Sequence, residues 1–147
     1  HNFEQDEISN FAKENYISKH NSAYWKNEAY LGIGPSAHGY VNNVRSWNIS
    51  NNAQYIKAIE NGENFSSSET LSEKDRFNEY ILTRLRTVWG LEEKELIGIS
   101  PRYYENIQAE LKRQINDGNI SKNNDVFTIT EEGKFLCDNI SANLFVE

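Results

Sequence analysis

One glycine-rich segment holds the densest concentration of residues that could do chemistry. Residues 32–39 read GIGPSAHG, and the spacing matches G-x-G-x-x-A, the pattern of a dinucleotide-binding turn. Closely spaced glycines let a backbone approach a ligand because no Cβ stands in the way. The flanking sequence does not complete such a site, because Gly39, Asn42 and Asn43 interrupt any following helix and no acidic residue follows at the ribose-binding distance. The residues of this segment are equally consistent with a tight turn and with a ligand-binding loop.

The histidines offer no metal site of their own. His1, His20 and His38 lie far apart in the sequence, and no pair has the spacing of a metal-binding motif. His20 begins the run HNSAYW, so that it accompanies Tyr24 and Trp25. Two large aromatic rings could wall a flat apolar ligand, and core packing accounts for them equally well.

The cysteine and methionine content sets limits on the redox chemistry. Cys137 is the single cysteine, which excludes an internal disulfide and any cluster held by several thiolates. Cys137 lies one helical position from an apolar stripe, so it is expected to be a small buried side chain. A single free thiol suits a reducing cytoplasm. The sequence has no methionine, even at position 1, and this predicts a piece of a longer protein.

Composition narrows the classes of partner. The 147 residues carry 15 basic and 22 acidic side chains, a net charge of −7, which argues against a protein built to neutralise phosphates. No apolar run reaches the ~18 residues that would span a bilayer, and the first residues lack the features of a signal peptide. With 37% hydrophobic residues, a folded core is expected.

The elements of the first half are predicted to be short. Phe3–Phe11 and Ala29–Ile33 are partly apolar stretches bounded by turn residues, which favours strands leading into loops. Residues 51–61 place apolar side chains at helical spacing before Gly62. Residues 64–70 are polar and short, and are predicted to be a linker.

From Leu71 the pattern becomes regularly helical. Ser72 and Asp75 have the spacing of a capping box, and Gly90 is predicted to end the helix that follows. Its apolar stripe comprises Phe77, Tyr80, Ile81, Leu85 and Val88, and the aliphatic stem of Arg84 lies along it. A shorter helix is predicted over Leu91–Ile99. A third is expected to end at residues 117–118, with a stripe made of Tyr104, Ile107, Leu111 and Ile115.

The last thirty residues predict a hairpin and a closing helix. Ile120 and residues 126–129 flank the turn Lys122–Asp125. The closing helix begins at residues 130–133, and its expected inner side comprises Phe135, Leu136, Ile140 and Leu144. Three helices, a hairpin and a final helix are the order of a winged helix, and the whole chain is therefore predicted to be α+β.

A winged helix raises the question of DNA binding, and the charges argue against it. The third helix, the usual reader, balances three basic residues against three acidic ones over Arg102–Asp117. Residues 71–147 carry a net charge of −4, and the wing at Lys122–Asp125 is not basic. Without excess cations, a duplex reader lacks the main source of its affinity. A role in protein packing or in covering a ligand is favoured, with no nucleic-acid partner.

Three motifs in order resemble a known family. EISNFA at Glu7–Ala12, HNxxYW at His20–Trp25 and GIGPSAH at Gly32–His38 are similar to the oxygen-independent coproporphyrinogen III oxidase-like family, most closely its HemW-type branch of haem chaperones. The resemblance covers essentially the whole chain, and Asp6 stands where relatives usually have a tyrosine. Such proteins begin with a radical S-adenosylmethionine barrel that holds a [4Fe–4S] cluster, and that part is missing here.

The resemblance implies a domain layout and site residues. Residues 1–50 would be the last strands of the barrel, 51–70 a helix and linker, and 71–147 the winged-helix-like C-terminal domain, with the missing barrel as partner. Two sets of site residues are implied: Gly34, Ala37 and His38 on the S-adenosylmethionine side, and His20, Tyr24 and Trp25 toward haem.

The expected function is a supporting part of a haem-handling or porphyrin-metabolising protein. This chain would cover the barrel and shape the tetrapyrrole site, and it would not be catalytic alone. Two alternatives stay open: part of a true coproporphyrinogen oxidase, and an acidic winged-helix regulator or interaction module.

Overall fold

Six α-helices and eight short strands alternate along residues 3–147, the part of the chain that this computed structural model describes. The chain divides into two contact units. The central unit is Asn27–Leu71, and the terminal unit combines the described residues up to Lys26 with Ser72–Glu147. In each unit, turns, helix caps and apolar patterns in the local sequence account for most of the elements.

The central unit is a three-stranded antiparallel sheet with one helix. Its elements are β3 (His38–Val41), β4 (Val44–Asn48), α2 (Asn52–Asn61) and β5 (Ser66–Thr70), with strand order β3-β4-β5. Asn42 and Asn43 both have positive φ, which is the turn geometry that favours a two-residue hairpin. The Asn51 side chain caps α2, and Gly62 ends it in the left-handed region.

Two predictions for this unit are corrected by the structure. The helix over residues 51–61 is confirmed. The linker predicted at 64–70 is wrong, because Ser66–Thr70 forms β5 and pairs along the whole of β4. Ala29–Ile33 is not a strand within this chain, since only Tyr30 bridges to Tyr40.

The terminal unit begins with a hairpin and a short helix. Within Phe3–Phe11, β1 (Glu4–Glu7) pairs with β2 (Asn10–Ala12), and α1 (Lys19–Trp25) follows. The hairpin joins the C-terminal residues through backbone hydrogen bonds from Ile8 to Arg86 and from Val88 to Asp6.

The rest of this unit supplies the core. Its elements are α3 (Glu73–Leu85), β6 (Leu91–Glu92), α4 (Glu93–Ile99), α5 (Pro101–Asn116), β7 (Ile120–Asn123), β8 (Val126–Ile129), a 3-10 turn (Gly133–Leu136) and α6 (Cys137–Asn143). The Ser72–Asp75 capping box is confirmed. Fully buried apolar side chains from successive elements meet in one cluster, including Phe77, Ile81, Leu85, Leu91, Leu96 and Leu144.

The hairpin predicted near the C-terminus is confirmed and extended by a third strand. Strands β7 and β8 pair antiparallel, and β6 adds to the other side of β8, giving the order β6-β8-β7. Helix α5 matches the predicted third helix. The finer description of this arrangement as a winged helix stays a prediction.

Several helix boundaries and one inner face differ from expectation. α3 ends at Leu85 rather than Gly90, because Gly90 instead turns the chain at φ +65° into β6. Phe135 is 95% exposed and Leu136 51%, so the inner side predicted for the last helix is wrong at both. A 3-10 turn has three residues per turn, which displaces them from the stripe of α6. Cys137 is buried, as predicted.

Candidate functional site

The glycine-rich loop is a tight turn whose shape depends on two glycines. A Cβ on Gly32 would lie 2.3 Å from the carbonyl oxygen of His38, so no side chain fits at that position. Gly34 has φ +100° and Ser36 φ +60°, conformations that glycine adopts readily and other residues rarely. The loop therefore reverses the chain before His38 begins β3.

The buried Asn48 stabilises the loop through hydrogen bonds. Its side chain amide donates to the carbonyls of Gly32 at 3.2 Å and Gly34 at 2.9 Å, and its own backbone N–H donates to Ala37. Asn48 is buried at the end of β4. Sequence reasoning missed this residue, because an asparagine ending a short strand carries no distinguishing signal.

The loop leaves backbone at Gly34 and two neighbouring side chains accessible. The position where a Gly34 Cβ would stand has no neighbouring atom within 4 Å, so that the backbone there is open to approach. His38 is exposed, and Ile33 is 90% exposed, which leaves an apolar and a polar side chain available. A ligand could therefore reach both the backbone and the side chains of this loop.

Helix α1 carries the second predicted set. Ser18 caps it by accepting from the Asn21 N–H, and among its residues none is buried. His20 and Tyr24 are four residues apart, so they share one face of the helix, and both are exposed. The Tyr24 and Trp25 rings meet edge to face, with centroids 5.0 Å apart. The imidazole and the phenol ring are therefore both accessible on one face of the helix.

The two predicted sets fall in different units. Gly34, Ala37 and His38 belong to the central unit, and His20, Tyr24 and Trp25 to the terminal unit. Each set is brought together locally by its own loop or helix. The assignment of both sets to ligands stays a prediction.

An iron–sulfur cluster does not fit the residues that the structure describes. Within residues 3–147, no group of three His, Cys, Asp or Glu side chains could hold a metal ion. Cys137 is 2% exposed, and burial raises the pKa of its thiol, which disfavours the thiolate that metals bind. No helix in this part of the chain has the length and apolar character to cross a membrane.

The fold places the chain in a class of proteins. No family model matches it. Among solved structures, it is similar to coproporphyrinogen III oxidase (HemN) from Escherichia coli, described as a radical SAM enzyme, with a TM-score of 0.69 and 15% identity. The match covers 97% of this chain and 37% of that enzyme. The chain thus shares the mixed α/β fold of the matched part of that structure.

Curated relatives narrow the class to one branch. The chain is 33% identical over 138 residues to heme chaperone HemW of Bacillus subtilis (strain 168), covering 92% of this chain and 36% of the relative. For heme chaperone HemW of Escherichia coli (strain K12), the identity is 26% over 139 residues, covering 94% and 37%. The chain spans just over a third of the length of these relatives. The chain is therefore similar to the HemW-type branch, over a stretch that corresponds to the C-terminal part of such proteins.

Proposed function

We propose that this chain is the C-terminal part of a HemW-like protein that binds and hands on haem, and that α1 carries the haem contact. The observation that supports this most strongly is the exposed pair His20 and Tyr24 on one face of α1. The relatives are named heme chaperones, and haem is here cargo rather than a resident cofactor.

The chemistry of α1 suits a transferable tetrapyrrole. A neutral imidazole nitrogen of His20 can ligate the haem iron, and the Tyr24 ring can lie against the macrocycle. Because both side chains are exposed, haem can reach them and leave without unfolding the unit. A deeply buried site would hold haem more firmly and release it more slowly.

The glycine-rich loop is proposed to face S-adenosylmethionine in the whole protein. Gly34 and Ala37 would offer backbone contacts to the nucleoside, and His38 a side-chain contact. When bound, that cofactor together with a [4Fe–4S] cluster would supply radical chemistry, and the cluster ligands would lie in the barrel outside this chain. The residues of this chain would bind and orient the cofactor.

The remaining residues are proposed to cover the barrel. Residues 71–147 would form a winged-helix-like domain that shapes the tetrapyrrole site and excludes water from it. Residues 1–50 would complete the barrel as its last strands, and residues 51–70 would connect the two. The element order from α3 to α6 supports this arrangement.

A haem titration of the full-length protein tests the role of His20. Ferric haem is added in steps, and the Soret band reports binding and iron ligation. We expect His20→Ala to change the ligation spectrum and to raise the Kd by about tenfold or more. His38→Ala is the matched control, since its histidine lies on the other predicted set, and its haem spectrum should equal that of the wild type. An unchanged spectrum and Kd in His20→Ala would refute the assignment.

A further inference from the structure

Two adjoining cavities in the terminal unit share a pair of cations. One cavity of about 220 Å³ is lined by residues that include Glu7, Arg86, Val88 and Lys134. The neighbouring cavity of about 270 Å³ is lined by Arg86 and Lys134 again, together with Phe135 and Leu136. Both cations therefore border the same space, and neither is used by the function proposed so far.

Glu7 supplies an unpartnered polar atom at this site. Its side chain is 2% exposed, and its Oε1 accepts hydrogen bonds from the Ser9 backbone at 2.7 Å and the Asn10 side chain at 2.8 Å. Among the described residues, Glu7 Oε2 and Arg86 Nε are both buried without a hydrogen-bond partner. They lie 3.6 Å apart, too far for a hydrogen bond, and form an ion pair that fixes the guanidinium from one side.

Both cations also have an exposed acidic partner. Arg86 Nη1 donates to Asp138 at 2.8 Å, and the Asp138 side chain is 81% exposed. Lys134 Nζ donates to Gln5 and to Glu131, each at 2.6 Å, and Glu131 is also 81% exposed. Because these two acidic side chains are mostly in solvent, an incoming carboxylate could take the place of either of them.

Arg86 also contacts the helix proposed to carry haem. Its guanidinium carbon lies 5.8 Å from the centroid of the Trp25 ring, and Trp25 packs on Tyr24. The indole Nε1 of Trp25 is a second buried donor without a partner in the described chain. On the rim of the cavities, Val88, Phe135 and Leu136 are more than half exposed, so cations and apolar surface are combined next to α1.

We propose that Arg86, assisted by Lys134, binds the carboxylate groups of the tetrapyrrole carried by α1. This inference rests on the proposed haem function. A tetrapyrrole with propionate side chains presents a flat apolar ring and carboxylates along one edge. A guanidinium matches a carboxylate with two parallel hydrogen bonds, and Asp138 stands in for that carboxylate when no ligand is bound.

The test compares haem with haem dimethyl ester, in which both carboxylates are masked. In the full-length wild-type protein, haem should bind about tenfold more tightly than the ester, as expected for a charge-assisted hydrogen-bonded pair. Arg86→Gln should bring the Kd for haem close to that for the ester and leave the ester Kd and the His20-dependent spectrum unchanged. Arg113→Gln, whose guanidinium pairs with Glu110 on α5, is the matched control.

A second variant keeps the proposal testable if Arg86→Gln fails to fold. Asp138→Asn removes the competing exposed carboxylate, and we expect it to strengthen haem binding while the ester Kd stays constant. Equal losses for haem and ester in Arg86→Gln, or no gain in Asp138→Asn, would overturn the inference. S-adenosylmethionine also carries a carboxylate, and a fall in its affinity alone would assign Arg86 to that ligand instead. A wild-type protein that binds neither haem nor ester would remove the proposed function itself.

Discussion

At the residue scale, a hydrogen bond between Tyr104 and Glu93 connects a charged side chain to the core. Tyr104 is 8% exposed and donates its hydroxyl hydrogen to Glu93, which also accepts from Lys122 at 2.7 Å. Burial and the hydrogen bond to Glu93 raise the pKa of Tyr104 to about 12. The hydrogen bonds from Lys122 and Tyr104 lower the pKa of Glu93. Glu93 therefore joins α4, α5 and β7.

We expect Glu93→Gln to reduce the free energy of unfolding at neutral pH by about 1 kcal/mol. Because the folded-state pKa of Glu93 lies below its ordinary 4.5, the unfolded chain takes up a proton first as the pH falls. The carboxylate's contribution is complete above pH 4.5 and is lost as the pH falls through the folded-state pKa. Urea unfolding of wild type and variant near neutral pH and near pH 3 measures this. A difference that does not shrink in acid would contradict it.

Gly90 and Gly62 have nearly the same φ but different surroundings. Comparing them distinguishes the cost of backbone strain from the cost of a steric clash. Gly90 and Gly62 have φ +65° and +66°. A Cβ on Gly90 would lie 2.3 Å from the Phe127 carbonyl oxygen, whereas one on Gly62 would meet nothing within 4 Å. We expect Gly62→Ala to cost about 1 kcal/mol, the left-handed penalty, and Gly90→Ala to cost several times more. Equal losses in thermal unfolding would contradict the close approach of Gly90 to β8.

At the element scale, the sequence predicted those elements whose signals are local. The capping box and apolar stripe predicted α3, the stripe from Tyr104 predicted α5, and the turn before Val126 predicted the β7–β8 hairpin. Each depends on residues a few positions apart. Their caps and periodicity agree with the packing, so that local and tertiary forces favour the same structure.

Elements defined by distant partners were missed. β5 consists of Ser66–Thr70, a polar run in which only Thr70 is of a strand-favouring type, and it is a strand because β4 pairs with it. α1 has no buried residue and so shows no apolar stripe. Of the candidate site, the loop glycines were visible as a motif, whereas Asn48 and the cluster around Arg86 depend on contacts across the sequence.

The last helix gives a direct test of its corrected inner face. We expect Leu144→Ala, at a fully buried position, to lower the free energy of unfolding by about 2–5 kcal/mol through the cavity it leaves. Phe135→Ser, at a 95% exposed position, should change it by less than about 0.5 kcal/mol. Chemical denaturation measures both. A large loss from Phe135→Ser would restore the inner side that sequence periodicity indicated.

At the scale of the whole molecule, charge decides among partners. α5 would be the reading helix of a DNA-binding winged helix, and one of its cations, Arg113, is already paired with Glu110. The chain's net charge is −7. We expect no specific binding to duplex DNA at physiological salt, because the phosphate contribution is missing. Fluorescence anisotropy with labelled duplexes checks this, and tight, sequence-dependent binding would favour a regulator.

Similarity to HemW-type proteins leaves two proposed functions to compare for the whole protein, carrying a tetrapyrrole and transforming one. A chaperone must bind haem and release it, whereas an oxidase must decarboxylate a porphyrinogen. We propose the first, because the exposed His20 on α1 could serve as an iron ligand, which a metal-free porphyrinogen would not use.

The most direct measurement gives the full-length protein, reconstituted without oxygen, both haem and coproporphyrinogen III side by side. We expect saturable haem binding that depends on His20 and no decarboxylated porphyrinogen above the level without protein. Turnover of coproporphyrinogen without saturable haem binding would contradict this expectation.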